Sequence, residues 1–332
     1  MQKTLTVIAP CYNEASNVRE LYTRVRDVIA GAGSYSYEHI FIDNHSNDGT
    51  WNELKALAAE DKNVKIIRNA RNFGHVRSPM HALYQATGDG VITMASDLQD
   101  PPEMILEMIR KWEEGYSVVI GIKEQAAEHP LMFWIRRKYY RLVNRLSGID
   151  TIENFTGFGL YDRKVVDLVK QFDDPYPYFR GMIAEIGLPR CEIPYKQPLR
   201  KHGITKNNFY SLYDLAMLGI TNLSKVPLRL VTFAGFASAF LSVLVAFAYS
   251  VYKILFWTRF SAGVAPLVIG IFFFMSLQMI FIGVVGEYIG TIHTLVQRRP
   301  LVVEQERMNF EYGPGEPFKP IDTAVKEKSS SA

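Results

Sequence analysis

The stretch Ser96-Asp97-Leu98-Gln99-Asp100-Pro101-Pro102-Glu103 carries the clearest chemistry in the sequence. Asp97 and Gln99 offer hard oxygen ligands one residue apart. On an extended segment they point to the same side and could hold magnesium or manganese against a diphosphate. Asp100 is expected to cap a helix that proline begins. Three more polar clusters precede it. In Pro10-Cys11-Tyr12-Asn13-Glu14 the proline stops a strand, and Asn13 and Glu14 can reach a ligand or cap the next helix. Asp43-Asn44-His45-Ser46-Asn47-Asp48-Gly49-Thr50 is a polar turn with one acid at its start and another placed to cap a helix. Arg68-Asn69-Ala70-Arg71-Asn72-Phe73-Gly74 sets two guanidinium groups beside a helix N-terminus, a combination suited to phosphate.

Each cluster follows a short apolar run rich in branched residues: Leu5 to Ala9, His39 to Asp43, Val64 to Arg68 and Val91 to Ala95, with a fifth run at Val118 to Gly121. Between them Ala15 to Ile29, Thr50 to Ala59, Pro79 to Thr87 and Glu103 to Glu114 have the length and apolar spacing of amphipathic helices. Alternating strands and helices predict an α/β fold with a mostly parallel sheet, which binds ligands at the carboxyl ends of its strands. The four clusters fall where that rule puts a site.

The chain has 332 residues, 48% of them hydrophobic, and a formal charge of only +3, which excludes disorder as the main state and gives no nucleic-acid signature. Cys11 and Cys191 are too few for a disulfide framework or a zinc site and read as free thiols. Leu230 to Tyr252 and Phe260 to Gly286 contain no charge, and each as a helix is long enough to span a bilayer. With Trp257 between them they read as a transmembrane hairpin, and neither lies where a signal peptide would. Lys225 and Arg229 before the first span, and Arg298 and Arg299 after the second, put both termini in the cytoplasm. Gly235, Ala237 and Ala239 would permit helix packing, including a homo-oligomer.

Leu131 to Leu146 interleaves Arg136, Arg137, Lys138, Arg141 and Arg145 with apolar residues and reads as a basic amphipathic helix on the membrane surface; a nucleic-acid-binding helix is the rival that the neighbouring spans disfavour. A second amphipathic stretch, Phe209 to Leu223, leads into the first span. Between them, Arg200-Lys201-His202-Gly203-Ile204-Thr205-Lys206 joins flexible backbone, a hydroxyl and several cations, and can hold a lipid phosphate; its bland alternative is a solvated charge run near anionic lipid. The expected organisation is a cytoplasmic catalytic domain over residues 1–200 with the interface helix at 131–147, a juxtamembrane segment over 201–227, two spans within 228–292, and a cytoplasmic tail over 293–332. From about Glu304 that tail reads as charged, solvated and partly disordered.

Pro10 to Glu14, Asp43 to Thr50, Arg71 to Gly74, Asp97 to Glu103, Gly157 to Arg163, Arg200 to Lys206 and Gly286-Glu287-Tyr288-Ile289-Gly290 together resemble the inverting family 2 glycosyltransferases of the GT-A fold. Within them the chain looks like the polyprenyl-phosphate glycosyltransferases related to dolichol-phosphate mannose synthase and the bacterial GtrB type, to about Pro300. The resemblance implies inverting transfer of one sugar from a nucleotide sugar, with UDP-sugars foremost, to undecaprenyl or another polyprenyl phosphate at the cytoplasmic membrane, for cell-envelope glycans. By the same analogy Asp43 contacts the base, Pro10, Tyr12, Asn13, Glu14, Asn44, Arg71 and Asp97 line the nucleotide-sugar site, and Asp97 and Gln99 bind Mg2+ or Mn2+. Asp162 would lie at the sugar and acceptor, as a catalytic residue beside Asp97. Arg200, Thr205 and Lys206, with Arg141, would bind the acceptor phosphate. Two positions depart from the family: Asn44 stands where relatives usually have a second acid, and Ala95 where they have an Asp two residues before Asp97.

An acceptor phosphate monoester has a second pKa near about 6, so it is largely ionised at neutral pH and needs less help than an alcohol. Asp162 would then position the acceptor or take a residual proton. A processive polysaccharide synthase would need a QxxRW motif and a longer membrane channel, and neither is seen. A metal-free binding module anchored in the membrane would leave Asp97, Gln99 and Asp162 idle, and a nucleotidyltransferase would leave the basic helix and the hairpin without a role.

Overall fold

The computed structural model describes residues 2–33, 35–124, 152, 154–198, 217, 221, 224–256 and 264–310. These fall into two compact units: an α/β unit built from the residues up to 198 together with 298–310, and a helical unit. The amphipathic helices expected over 131–147 and 209–223, and the acceptor-loop residues Arg141, Arg200, Thr205 and Lys206, lie almost wholly outside the described residues.

The α/β unit holds β1 (Thr4–Cys11), α1 (Val18–Gly31), β2 (Ser36–Asp43), α2 (Thr50–Glu60), β3 (Val64–Asn69), α3 (Gly74–Gln85), β4 (Gly90–Thr93), α4 (Met104–Glu113), β5 (Val118–Lys123), β6 (Phe155–Asp162), α5 (Arg163–Gln171), α6 (Phe179–Ile186) and β7 (Arg190–Tyr195). The sheet has the order β7-β5-β6-β4-β1-β2-β3-β8, where β8 is Glu304–Met308. Strands β1 to β5 and β7 run one way; β6, between β4 and β5, and β8, on the β3 edge, run against them. The mostly parallel α/β architecture expected from the alternation of strands and helices is present. One apolar layer joins Leu21, Val25, Leu54, Ile105 and Trp112 to one sheet face, and the other joins Met80, Leu83, Val165, Val169 and Ile183 to the opposite face.

Helix α3 begins at Gly74 rather than at Pro79, which lies inside it. The proline therefore costs one backbone hydrogen bond in the second turn instead of opening the helix. A second correction concerns the tail. Residues 304–308 form β8, antiparallel to β3 with Ile66 opposite Met308 and Asn69 opposite Glu304. Val302 and Glu304 are buried, Glu304 pairs with His81 and Arg307, and Asn309 Nδ2 donates to Ala58 O and Val64 O, each at 2.7 Å. The charged composition that suggested solvent is spent on these pairs.

His39 sits within β2, fully buried, its ring stacked on Phe41 at 4.0 Å and both nitrogens without a hydrogen-bond partner. Burial pushes its pKa down to about 3. The unfolded chain takes up this proton near pH 6.5, so stability should fall as pH drops below that value, by up to about 1.4 kcal/mol per pH unit. Thermal unfolding of the detergent-solubilised chain between pH 7.5 and 5 checks this, and His39→Phe should remove most of the slope.

In the helical unit, α7 (Val226–Leu255) and α8 (Val264–Val296) are long and apolar enough to cross a membrane. The first extends its uncharged run at both ends, and the second extends its run beyond Gly286. Gly235 of α7 meets Phe281 of α8, so the small residue serves contact within the pair. Tyr288 donates to Ser224 O at 2.6 Å, and Thr291 to Thr221 Oγ1 at 3.1 Å.

Candidate active site at the carboxyl edge

Strand β1 lies between β4 and β2, and chain connections leave it on both sides, so the sheet opens its crevice beyond the ends of β1 and β4. The loops there are laced together. Ser96 Oγ donates to Pro10 O at 2.8 Å, joining the β4 loop to the β1 loop, and Asn44 N donates to Cys11 O at 2.9 Å, joining the β2 loop to it. Asn13, at a left-handed φ of 59°, receives Asn47 N on Oδ1 and donates its own N–H to Ser46 Oγ. Glu14 is buried and accepts from Asn17 Nδ2, while its N–H donates to Thr50 Oγ1. Asn13 and Glu14 thus shape the loop, and Pro10 and Tyr12 sit half-buried beside them.

Asp43 ends β2 with no exposure; Oδ1 accepts Ser46 N at 3.0 Å, and Oδ2 faces Arg68 Nε at 3.6 Å. Burial pushes its pKa up, opposed by Ser46 and Arg68. Asn44, expected at the nucleotide-sugar site, locks the surrounding loops together. Its amide nitrogen donates to Asn72 Oδ1 and Gly74 O, and its oxygen accepts from Asn69 Nδ2 and Phe73 N, which uses its full capacity within the protein. A carboxylate there would lose both donors and face two acceptors, Asn72 Oδ1 and Gly74 O.

The segment from Ala95 to Asp100 turns rather than runs extended. Leu98 is buried at a left-handed φ of 60°, and Asp97 Oδ1 accepts Gln99 N at 3.1 Å. Exposure still alternates: Ala95, Asp97 and Gln99 are half-buried, and Ser96, Leu98 and Asp100 buried. Asp100 is not a helix cap, since Glu103 occupies the position before α4. Its carboxylate instead accepts from Ala95 N at 2.9 Å and Tyr195 OH at 2.8 Å, tying the β4 loop to β7. Burial pushes its pKa up.

Sequence reasoning overlooked Lys123. It ends β5 in register with Tyr195, half-buried at the same sheet edge, with its pKa lowered by burial and held against that by Asp100 and Asp97. Extending the fifth apolar run by two residues would have found it, because the carboxyl-end rule applies to β5 as well.

Asp162 is the main correction. Because β6 is antiparallel, its last residue pairs with Gly90, the first of β4, and so lies at the end of the sheet opposite to Asp97. Its carboxylate accepts Lys164 N at 3.1 Å as the cap of α5, and Trp112 Nε1 at 2.8 Å. Asp162→Ala should therefore lower stability by about 1–3 kcal/mol through the lost cap and the orphaned indole, while turnover per folded molecule stays within about twofold. Chemical unfolding and kinetics on one preparation check this, and a collapse of turnover with unchanged stability would reverse the assignment.

Among the described residues no group of three His, Cys, Asp or Glu side chains could alone hold a metal ion. Asp97 and Gln99 supply two oxygen donors on one half-buried turn, a set that fits a hard cation whose other ligands come from diphosphate and water. Arg71 lies at the end of β3, its guanidinium 4.1 Å from the Phe73 ring.

The sequence profile described as "Glycosyl transferase family 2" matches residues 6–169. The chain is 33% identical to "Uncharacterized glycosyltransferase YkcC" of Bacillus subtilis, over 92% of this chain and 94% of that protein. It is also 33% identical to "Prophage bactoprenol glucosyl transferase homolog" of Escherichia coli, over 89% and 96% respectively. With "Bactoprenol glucosyl transferase" of Shigella phage SfV it shares 32%, over 91% and 99%.

Proposed function

This chain belongs to glycosyl transferase family 2 and is a glycosyltransferase; we propose that it moves a single sugar from a nucleotide sugar, most simply a UDP-sugar, to polyprenyl phosphate. The observation that carries the reading is the joint presence of a donor crevice at the β1 and β4 ends and two helices able to cross a membrane, in a chain that matches bactoprenol glucosyl transferases over nearly their whole length. The catalytic unit then works at the cytoplasmic face of a membrane that the chain crosses twice, with both termini inside.

In this reading a phosphate oxygen of the acceptor bonds to the anomeric carbon while the bond from that carbon to the donor diphosphate breaks, and inversion follows from attack opposite the leaving group. The acceptor is already ionised near neutral pH, so the reaction needs no strong base. That agrees with Asp162 standing at the far end of the sheet. Asp97 and Gln99 would hold Mg2+ or Mn2+, which supplies charge to the departing diphosphate. Lys123, beside Asp97, adds fixed positive charge at the same edge, and Asp100 with Tyr195 keeps the turn in place. Arg200, Thr205 and Lys206, with Arg141, are assigned to the acceptor phosphate on their chemistry.

The test is acceptor-dependent release of nucleoside diphosphate by the detergent-purified chain across a set of nucleotide sugars. Release with one sugar only when polyprenyl phosphate is present supports the proposal; release independent of the lipid would refute it.

A further inference from the structure

Many guanidinium groups of the α/β unit face a carboxylate: Arg19 meets Glu53 and Glu60, Arg24 meets Glu20 and Glu103, Arg68 meets Asp43, and Arg307 meets Glu304. Arg71, Arg77 and Arg299 gather in one place without one. Arg71 and Arg77 both lie on the Phe73 ring, at 4.1 and 5.4 Å from its centroid, and Arg77 Nη2 donates to Pro300 O, which seats Arg299 beside them. Arg77 Nε is buried with no partner, and among the described residues no carboxylate pairs with any of the three. Burial lowers the Arg77 pKa, and Arg71 and Arg299 lower it further. Three like charges at this range repel one another, and an anion between them turns that cost into attraction. An aromatic face fixes guanidinium planes while leaving their edges open to fork a phosphate.

The place of this cluster in the chain says where such a phosphate comes from. Arg299 lies three residues beyond Val296, the end of α8. That link is short, about 11 Å even when fully extended, and it follows directly on a helix that is long and apolar enough to cross a membrane, so the cluster comes within a few residues of a membrane-crossing helix in the chain. It also lies at the β3 edge, two strands or about 10 Å from β1 and the donor crevice.

We propose that Arg77 and Arg299, with Arg71 on the same aromatic ring, form a binding site for the phosphate of an anionic phospholipid headgroup. Arg71 is shared with the residues expected at the nucleotide-sugar site, and Arg77 and Arg299 are the members that set this site apart from the sugar-transfer crevice. It rests on the membrane reading of α7 and α8 and not on the identity of the sugar, so it can hold or fail whether or not transfer is observed.

The test uses the full chain purified in neutral detergent, titrated with dioleoyl phosphatidylglycerol or dioleoyl phosphatidylcholine, with retained lipid counted by native mass spectrometry. Phosphatidylglycerol should be retained preferentially, and Arg299→Gln should weaken it about tenfold, the loss of one charge-assisted contact. Arg298→Gln removes the same charge next door and should leave affinity within about twofold. Arg299 is exposed, so its replacement does not put folding at risk. Equal losses in the two variants would reduce the site to diffuse charge, and no loss in Arg299→Gln would remove it. Equal retention of phosphatidylcholine, or full displacement by millimolar inorganic phosphate, would overturn the lipid assignment. Displacement by stoichiometric polyprenyl phosphate would identify the cluster as part of the acceptor site instead and overturn its separateness.

Discussion

Asp97→Ala should lower turnover by at least about a hundredfold while the protein remains folded and membrane-inserted. The size follows from removing the principal charged ligand at a developing negative charge, where one lost stabilising group commonly costs two to three orders of magnitude. Three features of the site make this residue hard to replace. Ala95 offers no carboxylate, Asp100 is committed to Ala95 N and Tyr195 OH, and Gln99 is neutral. Asp97→Asn keeps an acceptor for Gln99 N and tests the charge alone; it should be nearly as damaging. Excess chelator should reproduce the loss in the wild type, and circular dichroism with size-exclusion behaviour checks that the fold survives. Wild-type rates in chelator would refute the role of a divalent ion.

Ending the chain after Pro300 should have the largest effect on stability. The truncation exposes the β3 edge along Ile66 to Asn69, removes buried Val302, and strips His81 of Glu304. Burial of one Val-sized side chain and a handful of edge hydrogen bonds together contribute at least about 3 kcal/mol, a large share of the stability of an ordinary domain. The truncated chain should melt at least about 10 °C lower or aggregate. Val302→Asp in the full chain should act in the same direction. A truncated protein with the wild-type melting temperature would mean that β8 adds nothing to the sheet.

The legible part of this molecule was its alternation. Branched apolar runs marked β1 to β5, and polar clusters at their ends marked Glu14, Asp43 and Asp97, because a parallel sheet puts every strand's carboxyl end on one side. What escaped depends on direction and pairing. Strand β6 contains Gly157 and Gly159, which interrupt its apolar pattern, and its reversed direction decides which end Asp162 occupies. An analogy that places an acid near the sugar carries no information about that reversal. Strand β8 reads Glu304-Gln305-Glu306-Arg307-Met308, a solvated pattern that becomes a strand only because β3 offers an open edge. The role of Asn44 likewise appears only once Asn69, Asn72 and Phe73 are brought around it.

The central claim is transfer of one sugar to a lipid monophosphate, and the mass of the lipid product tests it most directly. The purified chain would be incubated with undecaprenyl phosphate and each nucleotide sugar in turn, and the extracted lipids separated and weighed by mass spectrometry. The expected product is the acceptor lipid plus a single hexose-type unit, joined through one phosphate. A lipid bearing a diphosphate, a ladder of added sugars, or unmodified acceptor with every donor would contradict it.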